Sequence, residues 1–143
     1  MRCVDVNVLV FAHRPESDRH QEFRAWLDGA RRGPEPLGLW DVVLSGFVRV
    51  VTHPQVFREP TPIDVALAFV ESLRAGPACI SVAADERHWP IFAELSRRVG
   101  ATGNRVPDAF LAALAMEHGA TLVTADRGFA RYSDLRWEHP LDR

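Results

Sequence analysis

Apolar residues along the chain fall into two kinds of segment that alternate from one end to the other. Short continuous apolar runs, of roughly four to six residues, are typical of strands buried on both faces of a sheet. Longer segments with apolar residues three and four positions apart predict amphipathic helices. The predicted strands cover residues 2–6, 36–40, 78–82, 121–126 and, more weakly, 135–138. The predicted helices fall within residues 8–13, 17–34, 41–54, 61–77, 84–100 and 103–120.

Small polar residues mark where several of these helices are expected to begin. Asn7 is predicted to cap the first helix, because its side chain can accept hydrogen bonds from free backbone N–H groups. Ser17 or Asp18 is predicted to cap the second helix, and Thr61 the fourth. Asp5 differs from these residues, since the apolar stretch "VDVNVLV" gives it no turn or cap to build. Its carboxylate therefore requires another explanation.

The alternation of strands and helices predicts the architecture. Strands that are apolar throughout, separated by helices, favour a parallel sheet with helices on both faces. We therefore expect a three-layer α/β/α sandwich around a mainly parallel sheet of four to five strands. A length of 143 residues without a linker or repeat fits one domain over residues 1–143.

Composition and charge narrow the function classes. The chain is 47% hydrophobic and 25% charged, as in ordinary globular proteins, and its net charge of −2 gives no general attraction to nucleic acid. No apolar run approaches the roughly 18 residues of a membrane helix, and no signal peptide is recognisable. A cytoplasmic protein without a membrane partner is expected. Cys3 and Cys79 are expected to be reduced residues of buried strands.

Three carboxylates are expected at the carboxyl ends of the strands. Asp5 ends the first strand, Asp126 follows the fourth, and Asp108 lies in the first turn of the helix that leads into the fourth. Ligands of open parallel sheets bind outside the carboxyl ends of the strands, where the strand order reverses. If the first and fourth strands are neighbours at that point, the three carboxylates converge on one cleft.

Converging carboxylates repel one another unless a cation neutralises them. Ligands that are all oxygen fit Mg²⁺ or Mn²⁺ better than Zn²⁺, and such a site can direct water at a phosphodiester. Taken alone, Asp108 is explained as an acid at a helix N-terminus and Asp126 as a turn residue in "ADRG". Asp5 has no such alternative. Three acids at equivalent strand ends therefore favour a shared metal site.

Two stretches, "VDVNVLVFA" and "VPDAFLAALAMEHGATLVTAD", resemble the PIN domain, and the chain length is similar to that of VapC-type toxins. "GFVRVVTHP" followed by "VF" resembles one branch of those toxins, and the resemblance runs from Cys3 to about Pro140. It implies a Mg²⁺- or Mn²⁺-dependent endoribonuclease that cuts tRNA or rRNA and is silenced by a VapB-type antitoxin. It also implies metal-binding and catalytic roles for Asp5, Asp108 and Asp126.

The chain departs from this family at one position. The family usually carries a Glu in the helix that here reads "VVLSGFVRVV", and that position falls on Gly46 or Phe47. Neither can bind a metal. Asp41 lies roughly 140° around the helix from Gly46 and is better explained near the helix start, while Glu59 lies in a loop. Three acids still suffice for one metal, whereas a second metal is in doubt.

Four further residues are candidate substrate contacts. Arg49 interrupts an apolar helical face and is expected to meet either a phosphate or a structural acid. Arg105 and Arg127 flank two of the three acids, and Asn7 follows the third. Apolar faces in "FRAWLDGA" and "VALAFVESL" exceed what a small core covers, so we expect a homodimer and an antitoxin groove.

Two other functions remain open. The missing Glu is consistent with a catalytically impaired PIN-like interaction module that binds an antitoxin or RNA without cleaving it. A phosphotransfer enzyme with Asp5 as nucleophile is the other alternative, although such enzymes commonly have a second Asp where this chain has Asn7.

Overall fold

The computed structural model describes residues 1–142, and within them five strands alternate with six α-helices. The strands are β1 (Arg2–Val4), β2 (Leu37–Trp40), β3 (Cys79–Val82), β4 (Thr121–Val123) and β5 (Trp137–Glu138). The helices are α1 (Val6–His13), α2 (His20–Ala30), α3 (Asp41–Val51), α4 (Ile63–Arg74), α5 (His88–Val99) and α6 (Arg105–Glu117). A short 3₁₀ helix, Arg127–Arg131, follows β4.

The five strands form one parallel sheet in the order β3-β2-β1-β4-β5. The strand order reverses between β1 and β4, which pair with Cys3 opposite Leu122 and Val4 opposite Val123. Helix α1 packs against α2 and α3, α3 packs against α4, and α5 packs against α6. The predicted α/β/α sandwich is confirmed, and so is the adjacency of the first and fourth strands.

The core is built from the apolar strands and the inward faces of the helices. Trp40 and Phe47 are among the largest side chains that are fully buried. Phe47 packs against Phe69 with the two ring centroids 4.8 Å apart, and the ring of His13 meets that of Phe47 edge-on at 5.4 Å. These contacts hold α3 against α1 and α4, and they fix which face of α3 is turned away from the core.

Three of the predicted helix caps are wrong. Asp5 rather than Asn7 caps α1, with its carboxylate accepting the Val6 N–H at 2.7 Å, so the expectation that Asp5 has no cap to build is also wrong. Helix α2 begins after Arg19, which adopts a left-handed conformation with φ of 56° and makes no side-chain cap. Thr61 does not cap α4, because its hydroxyl is bound to the side chains of His13 and Arg14. At α1 and α4, tertiary contacts hold the side chains of Asn7 and Thr61 and replace the predicted caps.

Strand β3 is less buried than its apolar sequence predicts. It lies at the edge of the sheet, where Ile80 is 44% exposed and Cys79 is only half-buried. An edge strand has a neighbour on one side only, which leaves part of its apolar surface uncovered. Both cysteines are free thiols, as expected. Within residues 1–142, no helix is long and apolar enough to cross a membrane.

Candidate active site

Asp5 lies where the chain passes from β1 into α1, and three groups hold its carboxylate. Oδ1 accepts the Val6 N–H at 2.7 Å, while Oδ2 accepts the hydroxyl of Thr124 at 2.6 Å and the side-chain amide of Asn7 at 3.0 Å. The side chain is 8% exposed. Because each oxygen is held by donors of fixed position, the orientation of this buried carboxylate is set before any ligand arrives.

Thr124 is the centre of this network, and sequence analysis missed it. Its fully buried hydroxyl donates to Asp5 and accepts the Asp126 N–H at 3.0 Å and the Asn7 amide at 3.2 Å. Asn7 in turn accepts the Ala125 N–H at 3.0 Å. The side chain of Asn7 therefore ties α1 to the segment after β4, instead of capping α1. The sequence around Thr124 carried no signal that separates it from an ordinary threonine at the end of a strand.

Asp108 and Asp126 lie across the switch point from Asp5. Asp108 is in the first turn of α6, and Asp126 caps the 3₁₀ helix after β4, with Oδ1 accepting the Gly128 N–H at 2.7 Å. The simpler roles considered for these two residues, a helix-start acid and a turn acid, are thus both present. They do not exclude a metal role, since each carboxylate has further lone pairs available.

The electrostatics show that the three carboxylates act on one another. Burial raises the pKa of Asp5 above its usual range, and the charge of Asp126 raises it further. Burial also raises the pKa of Asp108, and the charges of Asp126 and Asp5 add to that shift. A divalent cation between the carboxylates would offset both effects, so the donor set fits Mg²⁺ or Mn²⁺.

The three carboxylates are not packed as a closed ligand cage. Among the described residues, three ligand-type side chains have donor atoms within 4.8 Å of one another, and they are Asp85, Glu117 and His118. Asp5, Asp108 and Asp126 do not meet that criterion. Wider spacing suits a cation that keeps several waters in its shell, as Mg²⁺ usually does.

A cleft of about 590 Å³ adjoins two of these acids. Asp5 and Asp108 line it together with Gly46 and Arg49 of α3. Phe47 is fully buried, so the cleft-facing position at the site of the missing acid is Gly46. A Cβ atom on Gly46 would meet a methyl group of Val6 at 3.0 Å. The close neighbour of this glycine is thus a side chain, not the second backbone that a helical glycine first suggests.

The predicted arginines have different positions. Arg49 lines the cleft, and within residues 1–142 it forms no ion pair with a carboxylate. Arg105 begins α6, and its charge lowers the pKa of Asp108, as does that of Arg131, which sequence analysis missed. Arg127 is turned away, because its guanidinium binds both oxygens of Asp142 at 2.9 and 3.0 Å. The structure therefore does not bring Arg127 to the cleft.

Neither substitute for the missing acid lies in the cleft. Asp41 is exposed in the first turn of α3, as its position near the helix start predicted. Glu59 is exposed in the loop before α4, where its backbone carbonyl accepts a hydrogen bond from Arg14 at 2.9 Å. Asp5 and Asp108 are therefore the acids that line the cleft, and Asp126 acts on both through its charge without lining it.

Replacing Thr124 by valine, which has the same shape, tests the network. We expect the free energy of unfolding to fall by about 1–3 kcal/mol, because Asp5, Asn7 and the Asp126 N–H each lose a buried partner. Affinity for Mn²⁺ should fall by about 10–100-fold, the usual cost of losing a group that orients a ligand. Chemical denaturation and calorimetry measure the two effects. Thr124→Ser keeps the hydroxyl and should restore both; equal losses in the two variants would refute this role.

The chain is an α/β protein whose parallel sheet carries the buried carboxylate of Asp5, together with the less buried Asp108 and the exposed Asp126, at its switch point. The chain belongs to the PIN domain family, whose model matches residues 2–135, and within it to the VapC-type proteins. It is 51% identical over 142 residues to ribonuclease VapC43 of Mycobacterium tuberculosis, covering 99% of this chain and 97% of the relative.

Solved structures share the fold at low sequence identity. VapBC2 from Rickettsia felis, solved bound to a DNA fragment from its promoter, matches with a TM-score of 0.68 at 16% identity and covers 96% of both chains. VapC20 of M. tuberculosis, described as a sarcin–ricin-loop-cleaving toxin, matches with a TM-score of 0.66 at 14% identity, over 92% of this chain and 95% of that one. These matches confirm the fold that the strand pattern predicted.

Proposed function

We propose that this protein is a Mg²⁺- or Mn²⁺-dependent endoribonuclease, the toxin of a toxin–antitoxin pair. The observation that carries the proposal is the convergence of Asp5, Asp108 and Asp126 at the switch point, with the pKa values of Asp5 and Asp108 raised by burial and by neighbouring carboxylates. Relatives with up to 51% identity are named ribonucleases, which supports the same reaction class here.

The chain's own residues have distinct proposed roles. Asp5 and Asp108 hold the ion, and Asp126 completes its shell or accepts a hydrogen bond from the attacking water. The ion supplies an activated water and stabilises negative charge on the leaving oxygen. Asn7 and Thr124 fix the carboxylate of Asp5, so we assign Asn7 a positioning role and not direct substrate contact.

The substrate's phosphates would meet the basic side chains around the cleft. Arg49 lines the cleft beside Asp5 and Asp108, and its guanidinium suits a phosphate oxygen pair. Arg105 is close enough to act on Asp108 from the start of α6. With a net charge of −2, the protein is better suited to a few local contacts on a structured RNA than to many phosphate contacts. Structured regions of tRNA or rRNA are the proposed substrate class.

The proposed partners are a VapB-type antitoxin and a second copy of the chain. Two exposed apolar side chains on one face of α4 support a covered surface there: Ile63 (54%) and Leu67 (45%), which lie four residues apart. Size-exclusion chromatography with light scattering, on the protein alone and with a co-expressed antitoxin, distinguishes the two occupants.

Incubation of the purified protein with total RNA tests the function directly. We expect discrete cleavage products in Mn²⁺ or Mg²⁺ and none in EDTA, with the cut positions mapped by sequencing the new ends. Uncut RNA at every metal concentration, from a protein that still binds RNA or antitoxin, would instead favour the non-cleaving interaction module. The observation that supports this second function is the absence of an acid at Gly46, which lines the cleft.

The repulsion within the site predicts how stability depends on pH in EDTA. An acid whose folded pKa is raised above its unfolded value of 3.8 lowers stability above the folded pKa, and this penalty disappears below 3.8. Asp108→Asn should therefore unfold at a higher temperature than the wild type at pH 7.5, with the difference vanishing as the pH falls toward 3.8. Saturating Mn²⁺ should reverse the order. Thermal denaturation at several pH values measures this; a variant less stable than wild type in EDTA would contradict it.

A further inference from the structure

A second group of ligand-type side chains lies away from the cleft. Asp85, in the loop between β3 and α5, meets Glu117 and His118 at the end of α6, and one donor atom from each lies within 4.8 Å of the others. Glu117 is nine residues beyond Asp108 on the same helix, which separates the two sites by about 13 Å along the helix axis. This group is therefore distinct from the acids of the cleft.

Glu117 carries an unpartnered oxygen into this group. Its side chain is fully buried, and Oε1 accepts the Asp85 N–H at 3.0 Å. Oε2 is buried and accepts no hydrogen bond from the described residues, and His118 Nε2 lies 3.5 Å from it. Burial raises the pKa of Glu117, and the adjacent carboxylate of Asp85 raises it further. A buried carboxylate oxygen without a partner is costly, so it requires a proton or a cation beside it.

The other polar groups around this oxygen bind elsewhere. Arg87 donates to the backbone carbonyl of Glu117 at 2.8 Å and lies 3.8 Å from Asp85 Oδ1. Its guanidinium therefore pairs with these two atoms and not with Glu117 Oε2. His118 Nε2 is 2.9 Å from the carbonyl oxygen of Ala83, and the imidazole ring packs 5.1 Å from the ring of Trp40. The imidazole is thereby held with Nε2 directed toward the loop that carries Asp85.

We propose that Asp85, Glu117 Oε2 and His118 Nε2 form a binding site for a divalent transition-metal cation such as Zn²⁺. One imidazole nitrogen with two carboxylates is a donor set that zinc accepts, in contrast to the all-oxygen set of the cleft. Binding takes the neutral tautomer that carries its proton on Nδ1, so His118 Nε2 gives up its hydrogen bond to the Ala83 carbonyl when the ion binds. The ion would tie the β3–α5 loop to the end of α6.

Binding of Zn²⁺ to a protein whose cleft is disabled tests this site. The double variant Asp5→Asn/Asp108→Asn, stripped with chelator, should still bind one equivalent of Zn²⁺ in calorimetry, and its unfolding temperature should rise with Zn²⁺ concentration. Co²⁺ in place of Zn²⁺ should give a visible absorption band. Absence of Zn²⁺ binding would show that a proton alone neutralises Glu117, whose pKa burial raises, and would overturn the proposal.

Substitutions within the group identify the ligands. In the same background, Glu117→Gln and His118→Gln should each weaken Zn²⁺ binding at least tenfold. Asp85→Asn should do the same, and because Asp85 is exposed in a loop this substitution removes no core packing. Glu86→Gln, an exposed acid in the same loop, is the matched control and should bind as tightly as the parent. Zn²⁺ affinity that is unchanged by Asp85→Asn and Glu117→Gln would overturn the assignment.

Discussion

RNA cleavage in Mn²⁺ is expected to fall at least about 100-fold when either Asp5 or Asp108 is replaced by asparagine. Loss of a group that merely orients a metal ligand costs about 10–100-fold, so loss of a ligand's charge should cost no less. Asparagine keeps the shape of each side chain, and the Val6 N–H retains an oxygen to bind at position 5. Initial rates on a labelled RNA substrate, at saturating Mn²⁺, measure the effect.

The matched control for this experiment is Asp134→Asn. Asp134 is an exposed acid that pairs with Arg98 at 2.8 Å and does not line the cleft. Exposed ion pairs of this kind contribute little to stability. Its cleavage rate should stay within about twofold of the wild type. If Asp5→Asn or Asp108→Asn is folded and cleaves at the rate of this control, the three-carboxylate mechanism is wrong.

Replacing Arg49 by alanine is expected to lower cleavage by about 10–100-fold while leaving Mn²⁺ affinity nearly unchanged. Arg49 lines the cleft beside Asp5 and Asp108, and a hydrogen bond to a charged group contributes about 1.5–3 kcal/mol. The loss should appear mainly at the level of RNA binding and positioning. Cleavage kinetics together with Mn²⁺ calorimetry separate this outcome from damage to the metal site.

Arg127→Ala provides the contrast, because the sequence made both arginines candidate substrate contacts. Arg127 is held by Asp142 and does not line the cleft, so its removal should change cleavage less than about twofold. Equal losses in the two variants, or a loss confined to Arg127→Ala, would show that RNA approaches from a different side than the cleft geometry implies.

The positions of the candidate acids could be predicted because sheet topology determines them. Apolar runs identified β1 and β4, and their adjacency at the switch point carried Asp5 and Asp126 to the same edge of the sheet. Side-chain partners could not be predicted in the same way. Asp5 caps α1 because β1 ends two residues earlier than its apolar run, and Asn7 is then free to reach across to the segment after β4.

Groups joined only by tertiary contacts were invisible to the sequence. Thr124 lies 119 positions from Asp5, and nothing in its local sequence distinguishes it from an ordinary strand-end threonine. Asp85 and Glu117 are 32 positions apart, and no spacing motif connects them. In both cases the folded chain creates the pairing by burying one member, and burial is a property of the packing between elements.

Gly46 is the position at which the resemblance to the family leads one to expect a Glu. Gly46 lines the cleft where the family's Glu is expected, and Val6 occupies part of the volume that a side chain would need. Asp41 and Glu59 do not line the cleft. Asp5, Asp108 and Asp126 are therefore the proposed ligands, and they are proposed to suffice for one ion.

Calorimetric titration of Mn²⁺ tests that claim most directly, with Glu117→Gln as the parent so that the second group of ligands does not contribute. The parent should bind one equivalent of Mn²⁺, and adding Asp5→Asn or Asp108→Asn should remove the binding, while adding Asp134→Asn should preserve it. Mn²⁺ binding of equal affinity in all four proteins would contradict a metal held by these carboxylates.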